Sequence, residues 1–139
     1  MIQRIQTLYL LAASVVLGLC FYFPVFKMVG SADITLCSLV QARSIMGIAA
    51  SVFGGIALLL AFVAIFMYKR RKKQMLMCKI AGWLSGAMIV ALVILYFSMN
   101  GAFLGLSYFF PCIAIVFIWL AIKRIVSDEE LVRSLDRLR

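Results

Sequence analysis

Four cysteines, Cys20, Cys37, Cys78 and Cys112, are the side chains best suited to covalent or redox chemistry in this chain. Redox motifs and zinc knuckles need closely spaced pairs, since two sulfurs must reach one partner or one ion. No CxxC pair occurs, and there is no histidine. The usual neutral-pH acid–base group and the commonest metal ligand are therefore missing. Cys20 lies near the end of the first apolar stretch and Cys37 in the polar segment after it, where an oxidising compartment would permit a bond between them. The expectation is instead four inert thiols behaving as small apolar side chains. No catalytic, metal-binding or cofactor-binding residue is assigned.

Positive charge is the other chemical resource. Lys69, Arg70, Arg71, Lys72 and Lys73 are consecutive, and Lys79 follows. Net charge is +9, from 14 Lys and Arg against 5 Asp and Glu. In a soluble chain this would suggest nucleic acid. Here the cations flank apolar segments, where they set topology and meet anionic headgroups, so no nucleic-acid partner is expected. The run primarily reads as a topology determinant, with anionic lipid or an acidic protein as its possible partners.

The elements that carry these residues are apolar. The 139 residues are 66% hydrophobic, with mean hydropathy +1.14. Soluble domains run at about 45–50% apolar, and a chain this short cannot hide the excess. About 20 apolar residues cross a bilayer. Four segments qualify, at about 8–26, 45–68, 80–99 and 102–122, and none has Asp, Glu, Lys or Arg in its interior. With four spans and both termini on one side, that side holds twelve of the fourteen Lys and Arg. The positive-inside rule makes it cytoplasmic. Tyr22, Phe23, Phe26, Tyr96 and Tyr108 then fall toward the outer interface, where amphipathic rings are favoured. The segment 27–44 suits a small ordered cap outside. The first span is longer than a signal-peptide core and is expected to remain as an anchor.

Small residues recur at packing intervals: Ser14 and Gly18; Gly47, Ser51 and Gly55; Gly82 and Gly86; Gly101 and Gly105. Close backbone approach joins helices in lipid, so internal packing is expected, with a homodimer face as the alternative. Pro111 falls inside the fourth span, where it should bend the helix, and Ser107 could satisfy the freed backbone groups. A bend is expected rather than a cavity. Ion or proton transport leaves ionisable groups at membrane depth, and none is visible. Small multidrug exporters have similar length and four spans but depend on a glutamate in the first helix, which is missing here.

In the tail at 123–139, Ser127 and Glu130 have capping-box spacing. Glu129 and Arg133 are spaced for an ion pair. Leu131, Leu135 and Leu138 make one apolar stripe. A separate short amphipathic helix is expected.

The start, Met1-Ile2-Gln3-Arg4-Ile5-Gln6-Thr7-Leu8-Tyr9-Leu10, and the finish, Asp128-Glu129-Glu130-Leu131-Val132-Arg133-Ser134-Leu135-Asp136-Arg137-Leu138-Arg139, resemble an uncharacterised family of small bacterial integral membrane proteins, a domain of unknown function with four spans. The resemblance implies an inner-membrane location and a similar bundle, and brings no activity, substrate or catalytic residue. Both motifs fall on the cytoplasmic side, so Asp136 is expected to meet Arg4 or the basic run there, beside Arg133 and Arg137.

Together these readings give a single all-α domain over 1–139: an integral membrane antiparallel four-helix bundle with a short cytoplasmic amphipathic C-terminal helix. The expected role is a non-enzymatic scaffold or interaction subunit without cofactor. A small transporter or lipid-binding protein is the alternative, and a membrane thiol oxidoreductase the third.

Overall fold

The computed structural model describes residues 3–28, 33–67, 70–99 and 102–137, with backbone alone for 3, 4, 28, 71, 102 and 129–137. Four long helices dominate: α1 (Gln3–Tyr22), α3 (Ile45–Phe66), α4 (Arg71–Ser98) and α5 (Phe110–Arg137). A short α2 (Leu36–Gln41) and two strands, β1 (Phe26–Met28) and β2 (Ala102–Leu104), lie between them. In sequence order the long helices run up, down, up, down. α1 packs on α3 and α5, and α4 packs on the same two, which closes the ring.

Each long helix buries a stripe repeating at alternating steps of three and four. On α3 it is Gly47, Ala50, Gly54, Ala57, Ala61 and Ala64. On α4 it is Gln74, Cys78, Ala81, Ser85, Met88, Leu92 and Leu95. On α5 it is Ala114, Ile118, Ala121, Ile125 and Asp128. This 3.5-residue period is the seam of a left-handed bundle. The small side chains of α3 let the backbones come close, which replaces the hydrophobic effect as the joining force in lipid.

The outward faces are apolar too. α3 exposes Val52, Ile56, Leu59, Phe62, Val63 and Phe66, and α4 and α5 expose Trp83, Val90, Val116 and Trp119. A helix that is apolar all round belongs in a core or a membrane. All four helices are long and apolar enough to cross one. α3, with 22 residues, is about 33 Å long against a hydrocarbon thickness of about 30 Å.

Two ends can be distinguished. At the strand end, β1 pairs antiparallel with β2, Phe26 opposite Leu104, and Ile34 bridges Phe26 from the other side. Phe26 is fully buried, near the rings of Tyr96 and Tyr108. α2 starts on a capping box in which Thr35 and Ser38 bond each other's backbone N–H. Ser44 then caps α3 by accepting from the Gly47 N–H. At the opposite, basic end lie the starts of α1 and α4 and the ends of α3 and α5.

Four expectations change. The fourth span does not begin as helix at 102: β2 and a 3-10 turn (Leu106–Phe109) come first. Gly105 therefore lies before α5, not on a helical GxxxG face, and Gly101 lies outside the described residues. Pro111 is the second residue of α5, where a missing N–H leaves no hydrogen bond unmade, so it causes no mid-helix bend. The tail continues α5 to Arg137 without interruption; Ser127 is interior and caps nothing. Nothing between Ile122 and Ser127 stops a helix, and a capping box only permits a start. Finally, α4 begins at Arg71, well before position 80, so most of the basic run forms its first turn rather than a loop.

Candidate functional site

The basic end carries the chain's charge. Arg70, Lys72, Lys73, Lys79, Lys123 and Arg124 are all exposed. Lys69 lies outside the described residues, and Arg71 is described by its backbone only. α4 and α5 have 28 residues each, or about 42 Å, some two turns longer than the hydrocarbon needs. The surplus on α4 is the cationic first turn. Arg70 occupies its N-cap position without a side-chain cap bond. Cations at this end oppose the helix dipole, so the turn favours an anion.

Beneath this surface lies a buried polar layer. Gln6 is 6% exposed and Asp128 9%, and the Gln6 amide Nε2 donates to Asp128 Oδ2. This bond joins the start of α1 to α5 across 122 residues of sequence. Gln74 is 1% exposed, yet neither its amide oxygen nor its nitrogen bonds a described protein group. Leu10, Cys78 and Ile125 share one core cluster. Gln6, Gln74 and Asp128 are each one turn beyond those residues toward the basic end, which puts the three at one level. The sequence reading missed this layer because it sought charges inside the spans. The signal was available: all three occupy the inward position that ends an apolar heptad stripe. The contact expected between Asp136 and Arg4, with Arg133 and Arg137 beside it, involves side chains outside those described.

The small residues have different fates. A β-carbon at Gly47 would lie 2.7 Å from Leu39 Cβ, so that glycine lets α2 sit on α3. A β-carbon at Gly54, which the sequence reading passed over, would lie 2.9 Å from Met88 Sδ, whereas one at Gly55 would only graze Phe21 at 4.0 Å. One at Gly18 would lie 3.6 Å from Leu58. Ser14 and Ser51 return their hydroxyls to their own helices, at Leu11 O and Gly47 O. Gly82 and Gly86 are open, and line a groove between α4 and α5.

Chemistry at the strand end is structural. The Ser107 hydroxyl donates to Phe23 O at 3.0 Å, and the Cys20 thiol donates to Ser107 O at 3.4 Å. Cys20 is buried, Cys37 is exposed, and both are free thiols rather than a disulfide. A depression of about 590 Å³ lies at this end between Pro24, Lys27, Asp33 and Leu106. Neither it nor the α4–α5 groove is lined by Pro111, Ser107 or Ser51. Among the described residues, no three His, Cys, Asp or Glu side chains are grouped to hold a metal ion.

The family model described as a domain of unknown function (DUF4293) matches residues 2–138. The chain belongs to the DUF4293 family. The match covers both end motifs and the apolar middle. It also covers the Gln6–Asp128 bond and the α4–α5 groove, so the polar layer and the groove lie within the family's domain. No curated protein and no solved structure matches the chain.

Proposed function

We propose that this DUF4293 chain is a non-enzymatic scaffold or interaction subunit of the bacterial inner membrane, with both termini cytoplasmic. The observation that carries the reading is the filled interior. Side chains with no exposure, such as Leu10, Leu17, Ala57, Ala81, Leu92 and Ala114, line it from one end to the other. A bundle filled in this way offers surfaces rather than a pathway, and its polar groups collect at the ends. Six exposed cations at the basic end against Lys27 and Arg43 at the other favour a cytoplasmic basic end. Transport loses support because Pro111 does not break α5. Anionic lipid headgroups, a protein partner or a second copy are the candidates for the basic surface, and nucleic acid is not.

Affinity purification in mild detergent, with mass spectrometry of proteins and lipids retained, tests this role. A reproducible partner is expected, and failure to find one in repeated preparations counts against it. Reporter fusions test the orientation: a fusion after Gln74 should report cytoplasm, and one after Asp33 periplasm.

A further inference from the structure

In the half of the bundle nearer the basic end, α4 and α5 enclose a groove of about 300 Å³. Gly82 and Gly86 form its floor. A β-carbon at Gly86 would meet nothing within 4 Å, and one at Gly82 only Ile118 Cγ2 at 3.7 Å. Trp83 and Trp119 form the walls, 82% and 58% exposed. Lys79 lines the basic end of the groove on α4. Lys123 follows one turn after Trp119 on α5, its ammonium 5.5 Å from that ring's centroid. A cation over an indole face is held by the ring quadrupole, which keeps this charge at the rim.

An apolar hollow facing hydrocarbon gains no affinity by excluding water, because lipid tails are as apolar as the groove. Selection must come from the charges beside it, which are Lys79 in the lining on α4 and Lys123 on the ring of Trp119 on α5. α4 has no acidic residue, and the first on α5 is Asp128, which is buried and bonded to Gln6. The space equals about ten water volumes. That suits one chain of methylenes rather than a helix about 10 Å across. A second copy related by a two-fold axis along the membrane normal would also set its two lysines at the same level as Lys79 and Lys123, because such interfaces place the same patch on both partners, and so gather four cations.

We propose that this groove is a site for an anionic phospholipid. One acyl chain lies on Gly82 and Gly86 between the two tryptophans, and the phosphate is held by Lys79 and Lys123. The inference rests on the membrane-spanning reading and goes beyond it by naming a ligand class and a site.

Trp83 and Trp119 are the only two tryptophans in the chain, so their fluorescence reports on the groove directly. The full chain is reconstituted in phosphatidylcholine vesicles containing a minor fraction of chain-brominated phosphatidylglycerol or chain-brominated phosphatidylcholine. The brominated phosphatidylglycerol is expected to quench at a mole fraction on the order of tenfold lower, because two lysines act near the headgroups. Salt should narrow the difference. The Lys79→Gln/Lys123→Gln variant should lose it while remaining quenchable. Gly86→Leu, which fills open space, should weaken quenching by both lipids. Equal quenching of the unaltered chain by the two lipids would overturn the proposal and leave the membrane reading intact. Absence of quenching together with cross-linked dimers would also overturn it, assigning the groove to a second copy. A chain that does not float with the vesicles would remove the membrane reading and this site together.

Discussion

Arg43 holds a backbone conformation that suits glycine, with φ at 52°. It closes α2: the Arg43 N–H bonds Val40 O and the Ser44 N–H bonds Leu39 O, the paired bonds of a Schellman turn. A left-handed L-residue costs about 1–2 kcal/mol. Arg43→Gly should therefore stabilise the chain by about 1 kcal/mol, after the extra freedom of glycine in the unfolded state is subtracted; thermal unfolding in detergent would show it. Gly105 is the converse. Its N–H bonds Val25 O at 2.7 Å, and a β-carbon there would lie 2.3 Å from Pro24 O. Gly105→Ala should cost at least about 1–3 kcal/mol, as overpacking does, whereas Gly86→Ala should be neutral or better. Gln74 gives a third case. A buried amide that bonds no described protein group carries a desolvation penalty of about 1–3 kcal/mol, so Gln74→Met should raise the unfolding temperature. A lower temperature would mean that the amide binds something the bundle needs.

At the level of elements, the four spans were legible because a bilayer demands about 20 apolar residues and little else does. Their ends were not. β1 and β2 are three residues each and pair over more than seventy positions, so no local pattern announces them. The seam of α3 was right at Gly47 but one residue late beyond it: Gly54, not Gly55, meets Met88. One residue is about 100° of helix rotation, and an apolar sequence gives no polar face to fix the angle. Gln6, Gln74 and Asp128, read as inward positions, would have fixed the angle for α1, α4 and α5, but α3 has no such residue. The Gln6–Asp128 bond couples α1 to α5 at the basic end. In a double-mutant cycle of Gln6→Leu and Asp128→Leu, the two single losses should sum to about 1–2 kcal/mol more than the loss in the double variant. A coupling near zero would reduce the pair to a contact without consequence for α1–α5 docking.

For the whole molecule, the fastenings at the two ends differ in kind. The strand end is bound by a backbone ladder, two helix caps and a sulfur–carbonyl bond. At the basic end, among the described residues, the Gln6–Asp128 side-chain bond lies under exposed cations that repel one another. Backbone amides in cooperative ladders exchange slowly, and helix ends exchange first. Hydrogen–deuterium exchange should thus show 102–107 as slow as the spans, with early uptake at 70–76 and 129–137. Uniform uptake at both ends would contradict this asymmetry. The β1–β2 ribbon has a mechanical corollary. It rivets the exit of α1 to the entrance of α5, so these helices behave like the arms of tweezers joined at the tip away from the lysines. Any spreading of the arms is then small at the rivet and greatest at the far end, once the Gln6–Asp128 clasp there has opened.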